Sequence, residues 1–271
     1  MRNTSTDALI LRVQERGASD RLLTLISADE GRFYAIVKGR AAKGREAAAL
    51  EPYTLSNFEF YEKNGLKWVK NATVTEAFPG IRYDTEKLFL AAYFADVVFE
   101  LSDEKAPAGE ILPLCLNAMY MLSTTQNDDT RIKAAFEFRA AVLAGFLPDL
   151  AHCGSCGRVG PENAYLDVMN GALLCADCMQ KKNALRPMPE VSEVGTRSIL
   201  VPLTPSAIAA LGYIATAEPR RVFAFRLLDE ASVVALSHAA EAYLHHHLER
   251  GFQTLENYKR LVAIRHQMLK N

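Results

Sequence analysis

The 271-residue sequence has no run of about 18 apolar residues, the length that a membrane-spanning helix needs. Its first 15 residues include several charged and polar side chains and lack the apolar stretch of a signal peptide. Only five cysteines are present, and four of them fall in one motif. We therefore expect a cytoplasmic protein that makes no membrane contact and has no disulfide framework.

Sequence signatures of catalysis are also missing. There is no Gly-x-Ser-x-Gly nucleophile elbow and no Gly-x4-Gly-Lys-Ser/Thr phosphate loop. Three consecutive histidines at 245–247 would point about 100° apart on a helix, so they could not easily share one metal ion. The carboxylates are scattered, without a pair at a specific spacing. We therefore expect that the protein is not an enzyme.

Charge is distributed unevenly along the chain, although the formal net charge is only −1. Residues 1–71 hold 12 Lys and Arg against 9 Asp and Glu, whereas the remainder holds 19 against 23. A difference in sign between two parts of a chain suggests that they have different roles. The apolar content of 49% is sufficient for a folded core.

Five short segments of strand-like composition, separated by turn residues, occupy the first 76 residues. The strongest turn signal is the pair Asn64 and Gly65, because both residues tolerate the positive φ of a type I′ hairpin. Strands at such close spacing favour a small closed or nearly closed barrel. The predicted strands are residues 8–13, 22–27, 32–37, 53–62 and 66–74.

Helical periodicity replaces the strand pattern after residue 80. Asp84 is predicted to cap a helix that runs to residue 101, and Thr204 with Pro205 to begin another. Pro107 suits the first turn of a helix, and Gly251 suits the residue that terminates one. The other predicted helices span residues 107–123, 129–147, 229–250 and 254–270, and a polar, proline-bearing stretch without a predicted element precedes Thr204.

Two Cys-x2-Cys pairs are separated by 18 residues, and their members are Cys153, Cys156, Cys175 and Cys178. Four thiolates fill the tetrahedral shell of a structural zinc site and leave no open position for catalysis. Neither pair has a sequence context that predicts the strand–helix junction of a redox motif. We therefore predict one structural Zn2+ ion. Cys115 is predicted to be a buried thiol, and His152 to lie beside the site without binding the ion.

The segment 31–45 is basic and contains no acidic residue. Phe33 and Tyr34 are neighbours, so on a strand one side chain faces inward and the other outward. An exposed aromatic ring among cations is typical of proteins that bind single-stranded nucleic acid. In the alternative interpretation, the segment is a solvated loop and Phe33 and Trp68 lie in the core. The predicted nucleic-acid contacts are Arg32, Lys38, Arg40, Lys43, Arg45, Tyr34, Lys67 and Lys70.

Several short motifs follow one another in a fixed order along nearly the whole chain. The sequence Asp-Arg-Leu-Leu-Thr-Leu occupies residues 20–25, and Val-Lys-Gly-Arg occupies residues 37–40. Phe-Glu-Phe-Arg at 136–139 and Gly-Phe-Leu-Pro-Asp-Leu at 145–150 precede the two cysteine pairs. In this order the motifs resemble the RecO family of bacterial recombination mediators.

The resemblance implies an α+β fold, with an N-terminal five-stranded OB-type β-barrel followed by an α-helical domain that contains an inserted four-cysteine zinc module. The expected domains are 1–80 (nucleic-acid-binding barrel), 81–150 (helical domain, first part), 151–181 (zinc module) and 182–271 (helical domain, second part). The resemblance also implies binding of single- and double-stranded DNA, strand annealing, and help in loading RecA onto DNA coated by single-strand-binding protein. RecR and the C-terminal tail of single-strand-binding protein are the implied partners, and the bacterial nucleoid is the implied location.

Two other functions remain open on the sequence alone. One is a zinc-containing protein–protein adaptor without direct DNA binding, whose basic loop serves an acidic partner. The other is an enzyme of a kind that the motifs above do not reveal.

Overall fold

The computed structural model describes residues 3–17, 19–39, 46–160, 163–184 and 199–268. These residues form two compact units. The first unit comprises the described residues up to Gln126 together with those from Phe252 onward, and the second spans Asn127–Gly251. The α+β class predicted from the sequence is confirmed.

Strands and helices follow the order expected from the sequence, with the short helix Pro79–Arg82 added in the first unit and several elements added in the second. The strands are β1 (Asn3–Arg16), β2 (Asp20–Ser27), β3 (Gly31–Val37), β4 (Leu55–Lys63), β5 (Leu66–Glu76), β6 (Asp149–Cys153), β7 (Ala164–Asp167), β8 (Ala172–Cys175) and β9 (Leu200–Leu203). The helices are α1 (Pro79–Arg82), α2 (Thr85–Leu101), α3 (Ile111–Thr124), α4 (Asp129–Leu143), α5 (Ala176–Ala184), α6 (Pro205–Thr216), α7 (Glu230–His247) and α8 (Gln253–Met268). Within the described ranges, no helix is both long and apolar enough to cross a membrane.

The first unit is built around a closed barrel of five strands in the order β1-β2-β3-β5-β4. The long strand β1 pairs with β4 through its first half and with β2 through its second half. Strands β3 and β5 pair in parallel and close the barrel, with Ile36 beside Trp68. The predicted OB-type barrel is therefore confirmed.

Aromatic side chains fill the barrel, and glycine permits its tightest turn. Phe33 and Phe60 are buried and meet edge to face with their ring centroids 5.7 Å apart. Asn64 and Gly65 have φ values of 52° and 72°, which confirms the predicted hairpin. At Gly31, a Cβ atom would lie 1.9 Å from the backbone oxygen of Ala106, so only glycine fits.

Helix α2 begins at its predicted cap, where the Asp84 carboxylate accepts hydrogen bonds from the backbone N–H groups of Glu86 and Lys87 at 2.9 and 3.2 Å. The prediction that a helix begins at Pro107 is wrong, because α3 begins only at residue 111. Gly109 lies between the two positions with a φ of 54°, which a right-handed helix does not contain.

Helix α8 belongs to the first unit because it packs against α2. The ring of Phe252, just before α8, meets the ring of Tyr93 at a centroid distance of 5.4 Å. The Thr254 hydroxyl donates a hydrogen bond to the Asp96 carboxylate at 2.9 Å. The helices that we expected to form one domain are therefore divided between the two units.

The second unit combines a four-stranded sheet, in the order β6-β8-β7-β9, with α4, α6 and α7. Strand β9 lies in the proline-bearing stretch for which no element was predicted. The Thr204 hydroxyl accepts a hydrogen bond from the backbone N–H of Ala207 at 3.1 Å, which confirms the predicted start of α6. Between α4 and α7, the buried ammonium of Lys133 donates to Glu137 at 2.9 Å and to Glu241 at 2.7 Å.

Two helices of the second unit end earlier than predicted, and both end in a Schellman motif. At the end of α4, Gly145 has a φ of 95° and the N–H of Phe146 reaches back to the oxygen of Ala141 at 3.0 Å. At the end of α7, the left-handed residue is Glu249, with a φ of 49°. The prediction that Gly251 terminates this helix is therefore wrong.

Candidate metal centre and nucleic-acid interface

The four cysteines of the two Cys-x2-Cys pairs converge, and their sulfur atoms all lie within 4.8 Å of one another. Cys153 ends β6 and Cys175 ends β8, and these two strands are parallel neighbours. The Sγ atoms of Cys156 and Cys175 are 3.8 Å apart. Four sulfurs at about 2.3 Å from one zinc ion would be about 3.8 Å apart in a regular tetrahedron. The four residues could therefore hold a metal ion.

Backbone amides favour the thiolate form of Cys153, which is the form that binds a cation. The N–H of Cys175 donates to Cys153 Sγ at 3.3 Å. Burial opposes ionisation of Cys153, but the N–H groups of Cys175, Cys156 and Ser155 outweigh it and lower the pKa of this thiol to about 6. At Cys178 a hydrogen bond from Ser155 favours the thiolate, yet the neighbouring sulfurs outweigh it and raise the pKa to about 11. Thiolates so close together need a cation to neutralise them, and the thiolate is the form that binds metals.

The second cysteine pair lies at a strand–helix junction, because β8 ends at Cys175 and α5 begins at the next residue. The expectation that neither pair has this context is therefore wrong for Cys175 and Cys178. Helix α5 is short and polar, and its sequence carries too little periodicity to predict it. The convergence of four sulfurs still favours a metal site, because a redox motif uses only two.

His152 and Cys115 lie outside the cluster. The His152 Nδ1 atom lies 3.5 Å from a carboxylate oxygen of Asp149. Cys115 is fully buried on α3, and burial raises the pKa of its thiol, which confirms the predicted buried cysteine.

The eight residues predicted to contact nucleic acid do not form one surface in the part of the chain that the structure describes. Three of them, Arg40, Lys43 and Arg45, lie outside the described residues. The other five have three different environments, and the contribution of each to nucleic-acid binding stays a prediction.

Arg32 packs against a helix. Its guanidinium lies 4.0 Å from the ring centroid of Phe99 on α2, and the guanidinium of Arg12 lies 3.9 Å from the same centroid. The Nε atom of Arg32 is buried and has no hydrogen-bond partner. Arg32 therefore lies on the part of the barrel that α2 covers.

Lys67 lies at the end of the barrel interior. Alternation along β5 puts it on the same side as the core residue Val69. Its ammonium lies 4.5 Å from the ring centroid of Phe33 and forms an ion pair with Glu30. Since only 18% of the Lys67 side chain is exposed, its contacts are mainly within the barrel.

The remaining residues lie on the outer surface of the barrel at β3 and β5, where Trp68 of β5 and Tyr61 of β4 join them. Tyr34 is 38% exposed and Phe33 only 8%, which confirms the predicted outward and inward neighbours. The rings of Trp68 and Tyr61 stack with centroids 6.4 Å apart and planes 17° from parallel. The ammonium of Lys38 lies 4.7 Å from the Trp68 centroid. We call this surface the open face, and it consists of Tyr34, Lys38, Tyr61, Trp68 and Lys70.

Carboxylates outside the basic segment 31–45 form ion pairs with cations of the barrel. The pairs are Asp20 with Lys38 at 3.2 Å, Glu59 with Lys70 at 3.4 Å, and Glu30 with Lys67. The acids come from adjacent strands or from the turn before β3, so counting charges within residues 31–45 excludes them. The predicted strands 22–27 and 32–37 were a usable signal, because a hairpin between them brings residues 20 and 38 together.

Comparison with known proteins assigns the chain to a protein family. Residues 1–78 match a family model described as Recombination protein O N terminal, and residues 82–192 match one described as Recombination protein O C terminal. The chain belongs to the RecO family. The resemblance drawn from the short motifs is therefore confirmed. The first match covers the barrel, and the second covers α2 to α5 with both cysteine pairs.

Three relatives illustrate how far the similarity extends, and each is called DNA repair protein RecO. The protein of Syntrophobacter fumaroxidans is 34% identical over 180 residues, which are 65% of this chain and 72% of the relative. That of Anaeromyxobacter sp. strain K is 31% identical over 246 residues, or 89% and 90% of the two chains. That of Acetivibrio thermocellus is 28% identical over 267 residues, or 98% and 100%.

Proposed function

We propose that this chain acts in DNA repair as a recombination mediator. It binds single- and double-stranded DNA, anneals complementary strands, and helps to load the recombinase onto DNA coated by single-strand-binding protein. The main support is the open face, which combines lysines with the exposed ring of Tyr34 and the half-buried rings of Tyr61 and Trp68 on an OB-type barrel of the RecO family. Lysines attract phosphates of any sequence, and aromatic rings stack on unpaired bases.

On the open face, Lys38 and Lys70 contact phosphates and Tyr34 stacks on a base. Three further cations follow β3 in the sequence, and we assign phosphate contacts to them from the sequence alone: Arg40, Lys43 and Arg45. Arg32 and Lys67 act mainly through the packing of the barrel, since the guanidinium of Arg32 lies over the Phe99 ring of α2 and the ammonium of Lys67 over the buried Phe33 ring.

The four cysteines hold one structural Zn2+ ion in this proposal. Four sulfur ligands fill the coordination shell, so the ion ties β6, β8 and α5 together and activates no substrate. The chain is accordingly a binding protein and not an enzyme. RecR and the C-terminal tail of single-strand-binding protein are its partners, RecA is reached indirectly, and the complex acts at the nucleoid in the bacterial cytoplasm.

The ion pairs on the barrel favour a second candidate function, which is a zinc-containing protein–protein adaptor without direct DNA binding. Asp20 and Glu59 already neutralise Lys38 and Lys70, so these cations present less net charge to DNA than their number indicates. In the adaptor, the basic segment would serve an acidic protein partner.

Titration of a fluorescent single-stranded oligonucleotide with the intact protein, across a salt series, distinguishes the two functions. A mediator that binds through phosphates should lose affinity linearly in log salt, with a slope of about −0.7 for each phosphate contact. It should then anneal complementary strands coated by single-strand-binding protein. Binding of the tail peptide of that protein, with no binding of DNA at low salt, would favour the adaptor.

A further inference from the structure

Two hydrogen-bond donors converge directly after β3, and a carboxylate of the same chain lies between them. The Lys38 ammonium donates to Asp20 Oδ2 at 3.2 Å, and the backbone N–H of Gly39 donates to Asp20 Oδ1 at 3.2 Å. A lysine and a backbone N–H are the donors that proteins commonly direct at nucleic-acid phosphates. A carboxylate that accepts from both has the charge and the paired oxygens of a phosphodiester.

The backbone donor requires glycine at position 39. A Cβ atom there would lie 2.4 Å from Ser19 Cβ and 2.5 Å from the Ser19 backbone oxygen. Any other residue would therefore push the chain away from the β2 end of the hairpin. The close approach is what directs the N–H of Gly39 at the Asp20 carboxylate.

The charged donor is also held in place before any ligand arrives. The Lys38 ammonium lies 4.7 Å from the Trp68 ring centroid and donates a hydrogen bond to the Asp20 carboxylate. A cation held over an indole ring loses less rotational freedom when an anion replaces the carboxylate.

The register of the β2–β3 hairpin creates this arrangement. Arg21 pairs with Val37, so the next positions outward, Asp20 and Lys38, face each other. Hydrogen bonds from Lys38 and from the N–H of Gly39 outweigh burial and lower the pKa of Asp20, so the carboxylate is charged at neutral pH.

We infer that Lys38 and Gly39 form a phosphodiester subsite, and that Asp20 occupies it in the free protein. DNA must displace the Asp20 carboxylate before both donors can reach a phosphate. Asp20 therefore weakens DNA binding and speeds the release of a bound strand. This inference rests on the proposed DNA binding and adds a residue that limits its strength.

Asp20→Asn tests the subsite, because asparagine keeps the shape and the acceptor for Gly39 but removes the charge. We expect this variant to bind a fluorescent single-stranded oligonucleotide about three- to tenfold more tightly near 0.1 M salt. The salt slope should change by less than about 0.7, because Lys38 contacts a phosphate in both proteins once the DNA is bound. Asp20→Ser is shorter and equally uncharged, and it should give the same direction of change if the asparagine variant does not fold.

A matched control separates the subsite from the general effect of net charge. Glu256→Gln also removes one carboxylate from the first unit, where Glu256 is paired with Lys259 on α8 at 3.5 Å. Asp20→Asn should tighten binding clearly more than Glu256→Gln. In a Lys38→Ala background, the gain from Asp20→Asn should shrink to the size of this control.

The outcomes distinguish the subsite from the proposed function. If Asp20→Asn gains no more than Glu256→Gln, or keeps its gain without Lys38, the subsite is wrong while DNA binding stands. If the unaltered protein and Glu256→Gln both fail to bind DNA at any salt concentration, the proposed function itself fails. Emission of Trp68, the one tryptophan of the chain, shows in every variant whether the open face has kept its structure.

Discussion

The cysteine cluster and the barrel differ in how well a local sequence pattern predicts which side chains lie together in the fold. At the cluster, four residues of one type at one spacing bring their sulfur atoms within 4.8 Å of one another. At the barrel, cations close together in the sequence are divided among a helix-covered side, the barrel end and the open face. The ligands of one metal ion must lie around a single point in space. The role of a lysine depends instead on which strand or helix packs beside its side chain. A ligand motif thus predicts a site, and a charge cluster predicts only a region.

The largest expected effect is at the cluster, through Cys175→Ser. Cys175 is fully buried, and a structural zinc ion contributes about 10 kcal/mol or more of binding free energy to small zinc domains. The variant should lose its zinc, measured per chain after gel filtration, and the second unit should unfold at a much lower temperature. Cys115→Ala is the control, because it should keep one zinc and lose only about 1 kcal/mol of stability. One zinc per chain in Cys175→Ser, at an unchanged melting temperature, would contradict the metal site.

The next largest effect is expected at Lys133, whose buried ammonium forms ion pairs within the second unit. Lys133→Met removes the ammonium that neutralises the buried carboxylate of Glu137, so the free energy of unfolding should fall by about 3 to 5 kcal/mol. Urea denaturation measures this loss, and the affinity for DNA should not change. Lys259→Met removes a lysine from an exposed pair and should cost less than about 1 kcal/mol. An equal loss in the free energy of unfolding for the two variants would show that burial does not determine how much a lysine contributes to stability in this chain.

The stability supplied by Lys133 also has a defined dependence on pH. Burial lowers the pKa of Lys133, but Glu137 and Glu241 outweigh it and raise the pKa above its ordinary value. The contribution is therefore fully present below the pKa of lysine in the unfolded chain. It is lost only as the pH rises through the higher pKa of the folded state.

A smaller effect separates the barrel end from the open face. Lys67→Ala should lower the free energy of unfolding by about 1 to 2 kcal/mol, because it removes an ion pair and a cation–π contact. Lys38→Ala should cost less than about 0.5 kcal/mol, since 60% of its side chain is exposed. Chemical denaturation of both variants gives the comparison. The reverse order would mean that the two lysines have been assigned to the wrong surfaces.

The smallest effect concerns the exposed ring of Tyr34. Tyr34→Ala should weaken binding of single-stranded DNA about fivefold, because a base loses its stacking partner. Duplex DNA keeps its bases paired and stacked internally, so its affinity should change little. Fluorescence anisotropy with matched oligonucleotides measures both affinities. An equal loss for the two kinds of DNA would indicate that Tyr34 does not stack on bases.

Much of the fold could be predicted from the sequence, because the signals were local. Asp84 and Thr204 cap helices through hydrogen bonds to residues two or three positions away. Asn64 and Gly65 make a hairpin by their own backbone conformation. Strand β9 could not be predicted in this way, because its pairing with β7 joins segments more than 30 residues apart. The end of α7 was missed because Glu249 adopts a conformation more typical of glycine.

The convergence of the four cysteines could be predicted from the sequence, and the barrel surface only in part. The identity and spacing of the cysteines predict their cluster, whereas the ion-pair partners of Lys38, Lys67 and Lys70 come from other segments. Asp20 and Glu59 are the exceptions, since the turns before β3 and before β5 set the hairpin registers that bring them to Lys38 and Lys70. Counting charges within one sequence segment misses carboxylates on the neighbouring strand. Counting charges on both strands of a predicted hairpin includes them.

The most direct test of the account compares the salt dependence of single-stranded DNA binding for the unaltered protein, Lys67→Ala, and a double variant, Lys38→Ala with Lys70→Ala. The unaltered protein and Lys67→Ala should lose affinity along the same line in log salt. The double variant should bind more weakly, with a slope shallower by about 1.4, because two phosphate contacts are gone. Coinciding lines for all three proteins, or no binding by the unaltered protein at low salt, would contradict the account of the open face as a DNA-binding surface.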